Sequence, residues 1–111
     1  MNTTTTHWAA LHTALDDRQP LWVTYHGHQR LLCPHALGWH NTAPMLLAYQ
    51  TGGHTSTGAL DPDPTRRWRC LRIDHIEATI AAGPDNTWAS AANYDPAAPF
   101  PNPATAVTIA I

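Results

Sequence analysis

Residues 21–33 read Leu21-Trp22-Val23-Thr24-Tyr25-His26-Gly27-His28-Gln29-Arg30-Leu31-Leu32-Cys33. Leu21 to Tyr25, rich in β-branched and aromatic side chains, predicts a strand. His26-Gly27-His28 predicts a turn, and Gln29 to Cys33 the returning strand. A tight hairpin centred on Gly27 follows, because a glycine-bearing turn supplies the backbone twist that lets two short strands pair directly.

The pattern extends on both sides. Upstream, Thr6 to Asp17 predicts a helix with Thr6 as its N-cap. Trp8, Leu11 and Leu15 form one apolar stripe at spacings of three and four, and Ala9, Ala10 and Ala14 favour helix by propensity. Pro20 ends it. Downstream, Pro34 and Gly38 bend the second strand, which can continue through Trp39. Asn41-Thr42-Ala43-Pro44 is a turn, and Met45 to Tyr49 a third, mostly buried strand. From Thr51 to Thr65, glycines and prolines punctuate a polar stretch without periodicity, which predicts a long connection. Arg67 to Asp74 reads as a fourth strand and Ile76 to Ala81 as a fifth. Gly83-Pro84-Asp85 closes this part. The remainder is rich in Ala, Pro and Asn until Ala106 to Ile111, whose alternation suits a strand added to an open sheet edge, its own or a neighbour's.

The expected fold is therefore mainly β with one N-terminal helix. It is a small five-stranded bent antiparallel barrel of the SH3-like or Sm-like kind, with an irregular C-terminal extension. Residues 1–5 form a tail, 6–83 the helix and barrel, and 84–111 a Pro/Ala-rich extension ending in a strand-like run. At 111 residues the chain has room for one domain.

Composition narrows the function. Charged residues are 13% of the chain, about half the usual share, with no lysine, eight histidines and a net charge of −2. With a pI of about 6.4, several histidines can titrate near neutrality. No basic and apolar leader opens the sequence, and no run reaches the roughly 18 apolar residues of a membrane span, so a cytoplasmic protein is expected. Cys33 and Cys70 then read as reduced thiols, although both fall in predicted strands where a bridge is sterically open.

Motifs for catalysis are weak. His26 and His28, like Cys33 and His35, share a strand face, but no strong zinc-ligand spacing is present. There is no nucleophile elbow, no paired catalytic carboxylates and no phosphate loop opening a helix, so neither an enzyme nor a cofactor is expected. What stands out is arginine. All six basic residues are arginines, and Arg66, Arg67, Arg69 and Arg72 fall within seven positions. Alternation places Arg67, Arg69, Leu71, Ile73 and His75 on one face of the fourth strand and Trp68, Cys70, Arg72 and Asp74 on the other. Leu71 and Ile73 face the core, with Arg69 and His75 at its rims. Arg72 beside Asp74 suits an ordinary ion pair. Arg69 and Arg72 with Arg30 equally suit a phosphate-binding patch, because the guanidinium fork serves both roles.

The order of these features resembles the WYL domain, an Sm-like barrel module found mostly in bacterial transcription regulators and phage-defence proteins. The resemblance covers about residues 10–82. It rests on Ala14 to Gly27, on Arg30-Leu31-Leu32-Cys33-Pro34-His35-Ala36-Leu37-Gly38-Trp39, and on Arg69-Cys70-Leu71-Arg72-Ile73-Asp74-His75-Ile76. The family's naming tripeptide falls at Pro44-Met45-Leu46, where only the leucine is kept. His75 stands where the last signature has arginine, and Leu71 where it has an aromatic. The winged helix that usually precedes the barrel in this family is not matched. The resemblance implies a stand-alone regulatory or sensor module, or a subunit working with a partner chain that carries a DNA-binding domain. Its ligand would be a nucleotide or single-stranded nucleic acid, with Arg30, Arg69 and Arg72 on phosphate, His75 nearby, and Tyr25, Trp39 or Trp68 as stacking faces. The competing expectation is an assembly module that has lost ligand binding and oligomerises, for instance as a homodimer, through barrel edges and the C-terminal strand.

Overall fold

The computed structural model of the protein describes residues 3–55, 58–97 and 108–109. Helix α1 spans Thr3–Asp17. It starts before Thr6 because no glycine or proline interrupts the threonine run, so Thr6 lies inside the helix instead of capping it. The buried stripe is His7, Leu11 and Ala14, with Trp8 and Leu15 packed at its margins. The exit is a Schellman turn: Arg18 takes a left-handed φ of 51°, while the Gln19 amide donates to Ala14 O at 2.9 Å and the Arg18 amide to Leu15 O at 3.3 Å.

Strand β1 (Leu21–Tyr25) and strand β2 (His28–His40) form the predicted hairpin. Positive φ at both His26 and Gly27 makes the two-residue turn that matches strand twist, and Tyr25 pairs with His28 across it. Strand β2 is 13 residues long and runs through Pro34. The register shifts between Pro34 and Ala36, so His35 is the extra residue of a bulge that bends the strand where proline has no amide to donate. Strand β3 covers Ala43–Gly53, four residues beyond its expected end. Strand β4 is Trp68–Arg72 and strand β5 Ile76–Ala81. Between them Ile73–His75 is a 3-10 turn, which ends the expected fourth strand two residues early.

The five strands form one antiparallel sheet in the order β4-β3-β2-β1-β5. The last strand thus returns to pair with the first, bending the sheet around a core of Leu11, Val23, Leu32, Leu37, Leu46 and Ile73, each fully buried. Helix α1 packs against β2, β5 and the 3-10 turn. Strand β6, Thr108–Ile109, pairs with β2 of the same chain at Gly38 and Trp39; the rest of the expected C-terminal strand lies outside the described residues. Among the described residues, no helix is long and apolar enough to cross a membrane. Both cysteines are free thiols, Cys33 buried and Cys70 exposed. Truncating Leu46 to alanine should cost about 2–5 kcal/mol, the range for an unrelaxed core cavity, read as a lower urea midpoint.

Candidate anion-binding site

Register decides which side chains reach the barrel interior. Leu21 opposes Leu32 and Val23 opposes Arg30, so Arg30 shares the inward face of these core residues. Leu32 opposes Gln50 and Ala48 opposes Arg69, which puts Gln50 and Arg69 on the same face. At one mouth of the barrel the apolar core thus gives way to Arg30, Gln50 and Arg69.

Arg30 is only 5% exposed. Its Nε has no hydrogen-bond partner, and no carboxylate among the described residues pairs with it. The Tyr25 ring lies 5.3 Å from its guanidinium carbon. Burial and then the nearby charge of Arg69 lower the Arg30 pKa, against an opposing effect of Tyr25; arginine nonetheless stays a cation. A cation–π contact contributes about 2 kcal/mol or somewhat more when desolvated, whereas burying a charge costs several kcal/mol. Tyr25 therefore does not offset the burial of Arg30.

Arg69 is held more firmly. Its Nε donates to Gln50 Oε1 at 3.0 Å, and its Nη1 to the carbonyls of Arg66 and Trp68, both at 3.0 Å. Gln50 is itself fixed by donating to Gly52 O at 2.9 Å and His54 O at 3.0 Å. Above these groups a cavity of about 670 Å³ opens, lined by Arg30, Thr55, Leu60, Asp61, Arg66 and Arg69 among others. The chain over it is ordered by its aspartates. Asp61 accepts from the Asp63 amide at 2.9 Å, and Asp63 accepts from the Thr65 amide at 2.9 Å. The second of these caps the 3-10 helix Pro64–Arg66. Arg67 pins the same loop by donating to Asp61 O at 2.7 Å. Residues 61–65 of the stretch read as a long connection are thus held in place, and Arg66, Gln50, Thr55 and Asp61 join the site beyond the expected residues. Two of these carried a signal: Arg66 belongs to the arginine cluster, and alternation through Leu46 and Ala48 points Gln50 inward.

Of the expected site residues, Arg30 and Arg69 share the cavity and Tyr25 lies against Arg30. Arg72 does not line it. Its side chain clasps Asp74, with Nη2 to Oδ2 at 2.6 Å and Nε to Oδ1 at 3.0 Å, while its amide donates to Tyr25 Oη at 3.4 Å. This pair holds the Asp74 carboxyl below its ordinary pKa, through the hydrogen bond first. His75 is exposed on the 3-10 turn, its ring 6.5 Å from that of Tyr25. Trp39 stacks on Trp8 at 5.0 Å, at the other end of β2.

Trp68 belongs to a separate aromatic cluster on the outer face. His35 sits among Trp68, Trp88 and Tyr94, with centroids 4.8, 4.8 and 4.9 Å away. Residues 86–97 cross this face, tied down by Trp68 Nε1 donating to Asn93 Oδ1 at 2.9 Å and by Asn93 Nδ2 donating to Thr65 O at 3.1 Å. The His35 Nδ1 contacts Cys33 O at 2.7 Å, and its Nε2 is buried without a partner. Burial lowers the His35 pKa, against the raising effect of that hydrogen bond, and burial also lowers that of His7. A base with a depressed folded pKa binds its proton more readily when unfolded. Stability should therefore be full above the ordinary histidine value of 6.5 and fall as the pH drops from there toward the folded values. Urea midpoints from pH 8 to pH 5 check this, and a shallower fall in a His35→Phe variant would assign the imidazole's share.

Among the described residues, no group of three or more His, Cys, Asp or Glu side chains could hold a metal ion. Fold and site together define a small, mainly β domain with an N-terminal helix and a cationic barrel mouth. No family model, curated protein or solved structure matches the chain.

Proposed function

We propose that the protein is a WYL-like regulatory module that binds an anionic nucleotide-type ligand or single-stranded nucleic acid at the Arg30–Arg69 mouth. The observation that carries this reading is Arg30, a buried guanidinium that pairs with no carboxylate among the described residues and lines the same cavity as Arg69. A buried cation without a counterion is costly, and an incoming anion relieves that cost. The ordered sequence resemblance, from the Arg30 segment to the Arg69–Ile76 segment, favours a nucleotide or nucleic acid over a small inorganic anion. Binding, and not catalysis, is the role that this set of side chains suits: it presents donors and no activated nucleophile. Two free thiols fit a reducing, cytoplasmic setting. A sensor of this kind needs an output, which we assign to a partner chain carrying a DNA-binding domain or to a homodimer. Strands β4 and β5 end the strand order and would supply such a contact, and Ile80 on β5 is 65% exposed.

The test is direct titration. Fluorescein-labelled single-stranded DNA and RNA, and unlabelled nucleotides as competitors, should bind at low salt, with log affinity falling linearly as log salt rises. Absence of any binding at low salt would sink the proposal.

A further inference from the structure

We infer that the group this mouth accepts is a terminal phosphate monoester, the doubly charged end of a nucleotide or oligonucleotide, and not an internal phosphodiester. The inference rests on the reading above and narrows it. Its first support is charge. The lining holds Arg30, Arg66 and Arg69 against Asp61. At its rim Asp63 pairs with Arg66 at 3.6 Å and also feels the charge of Arg67, so four arginines face two carboxylates and two positive charges remain. A monoester phosphate carries about −1.5 to −2 at neutral pH, whereas a diester carries one negative charge. The monoester balances the wall and the diester leaves a cation buried.

Depth is the second support. Arg30 lies on the interior face, 5% exposed, with fully buried Val23 opposite it on β1 and fully buried Leu32 two residues along β2. A diester has chain leaving on both sides, so it would need two exits from the floor of the mouth. Core side chains close the way below, and the pinned loop lines one wall of the cavity through Ala59 to Pro62 and Arg66. A chain end needs one exit. The third support is the donors. Arg30 Nε is unpartnered and buried, while Arg69 is already oriented by three hydrogen bonds. Little ordering cost remains when a phosphate oxygen arrives.

The experiment compares one oligonucleotide sequence in three forms, with a 5′-phosphate, a 3′-phosphate or hydroxyls at both ends, by anisotropy on the full chain. A nucleoside monophosphate, its nucleoside and inorganic phosphate serve as competitors. A phosphorylated end should bind about tenfold tighter or better than the hydroxyl form, the scale of one added charge-assisted hydrogen bond. Which end is preferred identifies the source. The monophosphate should displace it where the nucleoside does not. Arg66→Gln, at an exposed rim position that leaves the core untouched, should shrink the preference for the phosphorylated end. Equal affinity for phosphorylated and hydroxyl forms, with both lost in Arg30→Gln, would overturn the terminal-phosphate inference and leave the broader anionic-ligand reading standing. No binding of any form at low salt would overturn both.

Discussion

An Arg30→Met variant should be more stable than the parent protein without ligand, and should no longer bind anions. The two effects share one cause. Methionine has a long unbranched stem that fills the same space between Val23 and Leu32 while removing a charge that nothing in the described structure neutralises. Replacing a buried charge by an apolar group of similar volume stabilises by about 1–4 kcal/mol where the charge was poorly compensated. The lost Tyr25 contact, at 5.3 Å from the guanidinium, offsets part of that gain. Urea midpoints of the unliganded proteins measure the first effect, and anisotropy with labelled oligonucleotide the second. A lower midpoint together with intact binding would show that Arg30 is a structural cation and not a ligand-binding one. Arg30→Lys separates charge from shape. It keeps the cation but loses the planar fork, so it should bind more weakly than the parent and more tightly than the methionine variant.

Gly53→Ala is expected to be the most damaging single-atom-scale change in the protein. Gly53 has φ of +80°, and a Cβ placed there would lie 2.2 Å from Gln29 O and 2.9 Å from the Arg30 Cα. Both contacts are with backbone, which cannot swing aside. Left-handed strain and forced separation of β2 from β3 together should cost about 3 kcal/mol or more. The separation also moves Arg30 itself, so binding should be lost even in molecules that remain folded. Gly52→Ala is the control. Its Cβ would meet only the Leu31 side chain, at 3.5 and 3.6 Å, an ordinary contact that should shift the urea midpoint little. Similar losses at both positions would refute this account of the β2–β3 crossing.

The same two glycines explain where the sequence was hard to read. Thr51-Gly52-Gly53 looks like the start of a loop because glycine weakens strands. Here glycine is what lets β3 continue, since its backbone passes so close to Gln29 that a side chain would collide. That is a fact about a distant segment, invisible to any local pattern. Strands β1 and β5 and the hairpin turn were legible because their signals are local: β-branched runs, and a glycine beside a histidine that accepts positive φ. Alternation along Arg67–His75 correctly sent Leu71 and Ile73 inward. The expected continuation of the strand to Asp74 failed, because after Arg72 the chain must cross from the β4 edge to the β5 edge and tightens into a 3-10 turn. The arginine cluster was likewise half legible. Residue type marked the anion chemistry, but only register could tell that Arg69 faces the mouth with Arg30 while Arg72 is occupied by Asp74. The loop that lines the cavity depends on Asp61 and Asp63 turns, which polar composition alone does not distinguish from open chain.

The placement of the indole rings has an optical consequence. Trp8 and Trp39 stack between helix and sheet, Trp68 and Trp88 lie in the His35 cluster, and Trp22 sits between Leu31 and Ile80. None lines the cavity above Arg30. Tryptophan emission should therefore report faithfully on helix docking and on detachment of residues 86–97, yet stay dark to an occupant of the mouth. An unchanged emission spectrum on adding nucleotide says nothing about affinity in this protein. A stepwise change in that spectrum during unfolding would instead resolve the loss of its outer wrapping from the melting of its barrel.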